Sequence, residues 1–271
     1  MDYKNLKNVT FGMELEFSDC DRNTQLPEGL TWDNREQDII NSDCRAINPT
    51  SKTYTIGGEI NTVPGSIEDQ VRLFKTAIRI LPSATVTFRS HLHLHIRFDG
   101  IREDVNLQKR VLTYIQNNIT TVMNHNFTPT KVRGMTTSGW RYVRADRTRM
   151  QDWKYDLCMK ANSPKEFYDA HQMVKDGTIL PQTTKRYCLN LFSLKKHGTI
   201  EYRGLYMTMN PESVYDSLVF FADFMSEAVG DQRPICDAVD LGSYLFPLEI
   251  PYHHEQQLGW EKTNTKSGSD A

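Results

Sequence analysis

Three short stretches of the chain carry side chains able to hold a metal or a phosphate at alternate positions. Glu14 and Glu16 lie in Phe11–Phe17, His91, His93 and His95 in Ser90–Ile96, and Glu201 and Arg203 in Thr199–Arg203. Residues two apart on a strand share a face. Each stretch, read as a strand, presents these groups on one side. The alternate residues, Met13 and Leu15, then Leu92, Leu94 and Ile96, then Ile200 and Tyr202, are apolar and can face a core. A sheet with an apolar back and a front of carboxylates, imidazoles and a guanidinium is suited to chemistry on phosphates. Each stretch also has a plainer reading in isolation. The two glutamates read as solvated charges, the histidine row as a structural zinc site or surface histidines, and Glu201 with Arg203 as a surface ion pair. The apolar alternation common to all three weighs against these readings, because it marks strands buried inside a sheet.

Ligand type bears on the metal. Three imidazoles alone suit Zn²⁺. Glu14, Glu16, Glu59 and Glu201 add hard oxygen donors, which shifts the expectation to Mg²⁺ or Mn²⁺ bridging nucleotide phosphates.

The elements that would position these groups follow from local signals. Residues 8–18 read as a strand, and 19–56, polar and aperiodic with Pro27, Gly29 and Pro49, as a long loop or insertion. Ser66 is a good N-cap with Glu68 and Asp69 in the first turn, and Val71, Phe74, Ile78 and Leu81 then have helical spacing up to Pro82. Strands are expected near 85–89 and 91–98, and a helix from Val105 to Met123. The segment 126–160 gathers Arg133, Arg141, Arg144, Arg147 and Arg149 among glycines and tryptophans, and reads as a second insertion. Ser163-Pro164 opens a helix that Gly177 is expected to stop. Strands 186–193 and 198–206 form a hairpin through Lys196-His197-Gly198, and Asn210-Pro211-Glu212 opens a helix to Val229. Helices mixed with hairpins give an α+β class with a largely antiparallel sheet. One domain is expected over 1–260, with a frayed tail over 261–271.

Composition sets outer bounds. The 271 residues are 38% apolar, enough for a core, and 32 Lys+Arg nearly balance 34 Asp+Glu. That balance argues against binding nucleic acid by bulk charge, though a local groove stays open. Five cysteines without CxxC spacing read as reduced thiols of a cytoplasmic protein. The start at Met1 lacks the pattern of a signal peptide, and no apolar run approaches membrane-spanning length, so no membrane partner is expected.

The motifs, in this order, resemble those of the putative amidoligases, relatives of glutamine synthetase and glutamate–cysteine ligase. The family's G-x-E-x-E start is matched from Gly12 to Glu16, and its G-x-E then P element by Gly57-Gly58-Glu59 and Pro64. Its S-G-x-H-x-H strand is matched by Ser90, His93 and His95, with His91 where the family usually has Gly. Its R-Y-x-x-x-N and T-x-E-x-R hairpin is matched by Arg186-Tyr187, Asn190, Thr199, Glu201 and Arg203. The matches span residues 11–206.

The resemblance implies a glutamine synthetase-like catalytic domain, its sheet polar on the concave face and packed by helices on the other. It implies an ATP- and Mg²⁺- or Mn²⁺-dependent ligase that joins a carboxylic acid, such as an amino acid, to an amine through an acyl phosphate. Such a site has to gather several anions, which calls for divalent cations and arginines rather than a covalent nucleophile. On this reading Glu14, Glu16, Glu59, His93 and Glu201 hold metal, and Arg186 and Arg203 clamp anions by their forked geometry. His95 binds phosphate or orients a ligand. Asn190 is a further nucleotide-binding candidate, although a regular strand puts it on the face opposite Tyr187. Arg144 and Arg147 cover the nucleotide or grip an acidic or polymeric substrate, unless their segment is a solvated loop. Two alternatives stay open. One is a metal-dependent hydrolase using the His91/His93/His95 row, and the other a ligase acting on a nucleobase or on a protein amine or acid.

Overall fold

The computed structural model describes residues 5–17, 20–33, 46–47, 54–55, 58–86, 90–126, 150–174, 176–179 and 189–231. All of these lie in one compact unit, Met1–Ala238; a second unit, Val239–Ala271, lies outside the described residues, as does the expected tail. Arg144, Arg147 and Arg186 lie outside them too.

The described chain is mixed helix and antiparallel sheet. Its strands are β1 (Thr10–Phe17), β2 (Leu30–Trp32), β3 (Ala46–Ile47), β4 (Tyr54–Thr55), β5 (Gly58–Thr62), β6 (His91–Arg97), β7 (Leu189–Asn190) and β8 (Ile200–Tyr206). Its helices are α1 (Ile67–Ile80), α2 (Val105–Asn126), α3 (Asp152–Lys160), α4 (Pro164–Gln172), α5 (Ser193–His197) and α6 (Pro211–Gly230). Six strands make one sheet in the order β2-β5-β1-β6-β8-β7, while β3 and β4 pair separately. Every ladder is antiparallel.

The apolar alternates make one face of this sheet the floor of the core. Leu15, Leu94, Ile96, Ile200 and Tyr202 are fully buried there, as is Ile60 of β5. Helices α1 and α6 pack together over them, and α2 packs on α6 and β8. Tyr202 meets Phe221 of α6 with ring centroids 5.5 Å apart, and its hydroxyl donates to the Val122 carbonyl of α2 at 3.3 Å. Caps read from the sequence form as expected. Ser66 and Asp69 make a reciprocal capping box on α1, and the Asn210 side chain accepts from the Glu212 N–H ahead of α6. In α2, Asn118 leaves helical geometry (φ −121°), and its side-chain amide donates to the Tyr114 carbonyl one turn back.

Four expectations change. The segment 19–56 is not loop throughout, because β2 forms the sheet edge with Leu30 opposite Thr62 and Trp32 opposite Ile60. Its single buried residue, Leu30, leaves almost no alternation to read. The close approach of β2 also needs Gly58, where a Cβ would sit 2.6 Å from the Trp32 ring. Second, the end of the 126–160 insertion is the helix α3, tied to α2 by Gln116, which exchanges two 2.9 Å hydrogen bonds with the Met150 backbone. Third, α4 ends at Gln172 rather than at Gly177. Gly177 instead shapes a turn closed by the Val174 N–H on the Thr178 carbonyl at 2.8 Å. Fourth, the β7–β8 connection is not a bare turn but the short helix α5. Gly198, at φ +70°, closes α5 with its N–H on the Leu194 carbonyl. Of the expected strand 85–89, residues 87–89 lie outside the described ones.

Among the described residues no helix is long and apolar enough to cross a membrane.

Candidate metal centre

The polar face of the sheet follows from register. Glu14 on β1 lies opposite His93 on β6, and His95 lies opposite Gly12 on one side and Glu201 on the other. Glu16 lies opposite Glu59 of β5. Directly opposed residues of an antiparallel pair project to one face, so β6 is the axis of the site.

Between Leu92 and Leu94 the β6–β8 register slips by one residue. Leu92 opposes Leu205 and Leu94 opposes Tyr202, so Arg203 and Gly204 both fall opposite His93. This bulge keeps Tyr202 and Leu205 in the core, although their spacing of three would otherwise send them to opposite faces.

Glu14, His93 and Glu201 each offer a ligand atom, all within 4.8 Å of one another. His93 Nδ1 is 2.8 Å from Glu14 Oε2 and 3.7 Å from Glu201 Oε1. The other Glu14 oxygen lies 3.2 Å from His95 Nε2. His95 Nδ1 meets the Thr199 hydroxyl at 2.9 Å, so Thr199 and Glu14 together fix the orientation of that ring. On the far side of His93, Nε2 is 3.9 Å from Glu16 Oε1. Glu16 Oε2 accepts the His91 N–H at 2.9 Å and lies 3.2 Å from His91 Nδ1. Glu201 is held by two donors: the Asn190 amide at 2.8 Å on Oε2, and the Arg203 guanidinium on Oε1.

These groups are removed from water. His93 and Glu201 are each 4% exposed, and Asn190 2%. Burial pushes the Glu14 carboxyl up, but its hydrogen bonds with His93 and His95 outweigh burial and hold it well below its ordinary range. Glu16 follows the same logic, with His91 and His93 holding its carboxyl down against burial. His95 is the mirror case, since burial lowers its pKa while Glu14 and Glu201 raise it more. Burial also pulls on the Arg203 guanidinium, and Glu201 and Glu14 more than offset it.

Of the residues singled out from sequence, Glu14, His93 and Glu201 come together as one candidate ligand set, with Glu16 beside His93 and Glu59 next along the same face. His95 and Arg203 border that set. Asn190 points at Glu201 from β7, where it lies opposite that residue. The pairing of Glu201 with Arg203 is largely buried rather than a surface ion pair, with side-chain exposures of 5% and 26%.

Two neighbours were given no site role from the sequence. Thr199, matched there only as a motif residue, shares the alternate-residue face of Glu201 and Arg203. His197 ends the five-residue helix α5, too short to show a period, with its ring centroid 6.3 Å from that of His95 in an edge-on arrangement. No family model matches the sequence, and no curated protein matches it.

Proposed function

We propose that the protein is an ATP-dependent carboxylate–amine ligase with a glutamine synthetase-like catalytic sheet, forming an amide through an acyl phosphate. The observation that carries this reading is the convergence of Glu14, His93 and Glu201 within 4.8 Å, with Glu16, His95 and Arg203 around them on one sheet face. The ordered motifs from Gly12 to Arg203 support it.

The donor set fits a hard divalent cation, because it offers buried carboxylate oxygens with one imidazole between them. Glu14, His93 and Glu201 are the proposed ligands, and Glu16 and Glu59 extend the same acidic face. A bound Mg²⁺ or Mn²⁺ would neutralise the charge of the phosphates brought there. Arg203 contributes a fixed guanidinium at the edge of the acidic set, suited to gripping a phosphoryl oxygen or the substrate carboxylate. Thr199 and Glu14 hold His95 in one orientation, so its ring meets an incoming anion without reorganising. Asn190 keeps the Glu201 carboxylate aimed along the face. Arg186, Arg144 and Arg147 are proposed to complete the nucleotide and acid pockets. The reaction needs positioning and charge neutralisation, and no Ser, Cys or Lys of the described site is set up as a nucleophile.

The test is phosphate release. Purified protein with ATP and Mg²⁺ or Mn²⁺ is screened against amino acids and amines, with product detection by mass spectrometry. The reading requires ADP and phosphate in one-to-one ratio with a new amide. Bond cleavage without nucleotide would assign the same face to a metal-dependent hydrolase instead.

A further inference from the structure

We infer that His197 is the catalytic base that takes the proton from the incoming amine. This rests on the ligase reading and names the one participant that reading lacks.

An amine with an ordinary pKa arrives at neutral pH as an ammonium ion, which has no lone pair for attack. The acceptor for its proton has to stand at the site, be neutral, and have a nitrogen free to receive it. The three imidazoles of β6 each lie against a carboxylate and are withdrawn from solvent; among the described residues His91 Nε2 makes no hydrogen bond, but it is buried. His91 is tied to Glu16, His93 to Glu14, and His95 to both Thr199 and Glu14. The His197 side chain makes no hydrogen bond or ion pair among the described residues. It is exposed, while its ring stands edge-on to His95 at the rim of the site.

The backbone explains this placement. Gly198 closes α5 in a left-handed conformation that a side-chain-bearing residue adopts with strain. Across that single residue the chain puts His197 on one side and Thr199, the partner of His95, on the other. The closure that orients His95 therefore also sets the His197 ring beside it. The surrounding charges suit a neutral base. Partial burial lowers the His197 pKa, as do Lys196 and His95, against the pull of Glu14 and Glu201. Arg102, from the loop after β6, also approaches this turn, lying near the Gly198 position.

The step balances as follows. One ammonium proton passes to a His197 ring nitrogen. The freed nitrogen lone pair forms the C–N bond at the acyl carbon. The C–O bond to phosphate breaks, its electron pair leaving with the phosphate, which takes the second nitrogen proton. His197, open to water, releases its proton to solvent.

The experiment compares two nucleophiles in wild type, H197N and H197Q, with a panel of free amino acids as carboxylate donors, ATP and Mg²⁺. Hydroxylamine is largely neutral at pH 7 and needs no base, whereas ammonium does. In both variants the ratio of amide to hydroxamate product should fall by about 10²-fold at pH 7, the usual scale of general-base catalysis. It should recover as pH rises and free amine becomes abundant. A ratio equal to wild type, or a loss that persists at high pH, overturns the assignment. The absence of any ATP- and acid-dependent hydroxamate in wild type overturns the ligase reading itself, and the base with it.

Discussion

Glu14 and His93 face each other directly across β1 and β6, and their side chains meet at 2.8 Å between Oε2 and Nδ1. The same carboxylate reaches His95 with its other oxygen. One glutamate thus ties two of the three β6 imidazoles, and Glu201 comes within 3.7 Å of the first of them. A divalent cation held between Glu14, His93 Nδ1 and Glu201 would take the place of the Glu14–His93 hydrogen bond, because the nitrogen that binds a metal cannot also donate a proton.

Glu201→Gln keeps the shape and the contact with Asn190 but removes a ligand charge. Turnover should fall by about 10²-fold or more with little change in melting temperature. Mn²⁺ titration by calorimetry should show weakened binding in the same variant. Normal turnover would leave Glu201 as a structural partner of Arg203 and Asn190.

Arg203→Lys retains a positive charge and loses the planar fork. If the guanidinium grips an anion, the variant should stay strongly impaired, with KM for ATP or the acid raised. Kinetics with each substrate varied in turn decide this, and full rescue by Lys would reduce the role of Arg203 to a point charge.

The acid–imidazole cluster shapes stability against pH in metal-free buffer. Glu14 has a depressed pKa in the folded protein, so its contribution is complete above its ordinary value of 4.5 and is lost as pH falls through the lower folded value. His95 has a raised pKa, so its contribution is complete below its ordinary value of 6.5 and is lost as pH climbs through the higher folded value. Both contributions are present between these two values. Thermal melts in EDTA should show the cluster stabilising most in that window, and His95→Gln should flatten the decline on the alkaline side. An unchanged alkaline slope in that variant would contradict the coupling.

Gly198→Ala should cost about 1 kcal/mol, because φ at +70° strains any residue with a Cβ. The added Cβ would sit 3.4 Å from Arg102 Cδ, at the near edge of ordinary van der Waals contact, so the backbone angle carries the cost. Urea unfolding measures the loss, and wild-type stability would mean that the α5 turn relaxes freely.

Much of this was legible because strand faces obey a strict period of two. Glu14, His93 and Glu201 were each assigned a face from apolar neighbours alone, and register then brought the three faces together. The caps at Ser66 and Asn210 were legible for a similar reason, since one polar side chain ahead of an apolar periodic run has few other uses. What stayed hidden lacked periodicity. β2 is three residues long with one buried side chain. α3 buries Lys154 beside Tyr155 and Cys158, so its inward face does not look apolar. The β8 bulge breaks the alternation at Gly204, and α5 is too short to show a helical period. Asn190 was placed by strand parity relative to Tyr187, yet its role came from pairing with Glu201, which parity within one strand does not reveal.

The triad draws one member from each of three adjacent strands, β1, β6 and β8, far apart along the chain. During synthesis Glu14 and His93 emerge before Glu201 and can pair, but the ligand set stays incomplete until β8 arrives. Pairing of such distant segments is slow, because the chain loses loop-closure entropy before any contact compensates. Divalent cations present during refolding should therefore act late, by locking β8 onto β6, and not by hastening the first collapse.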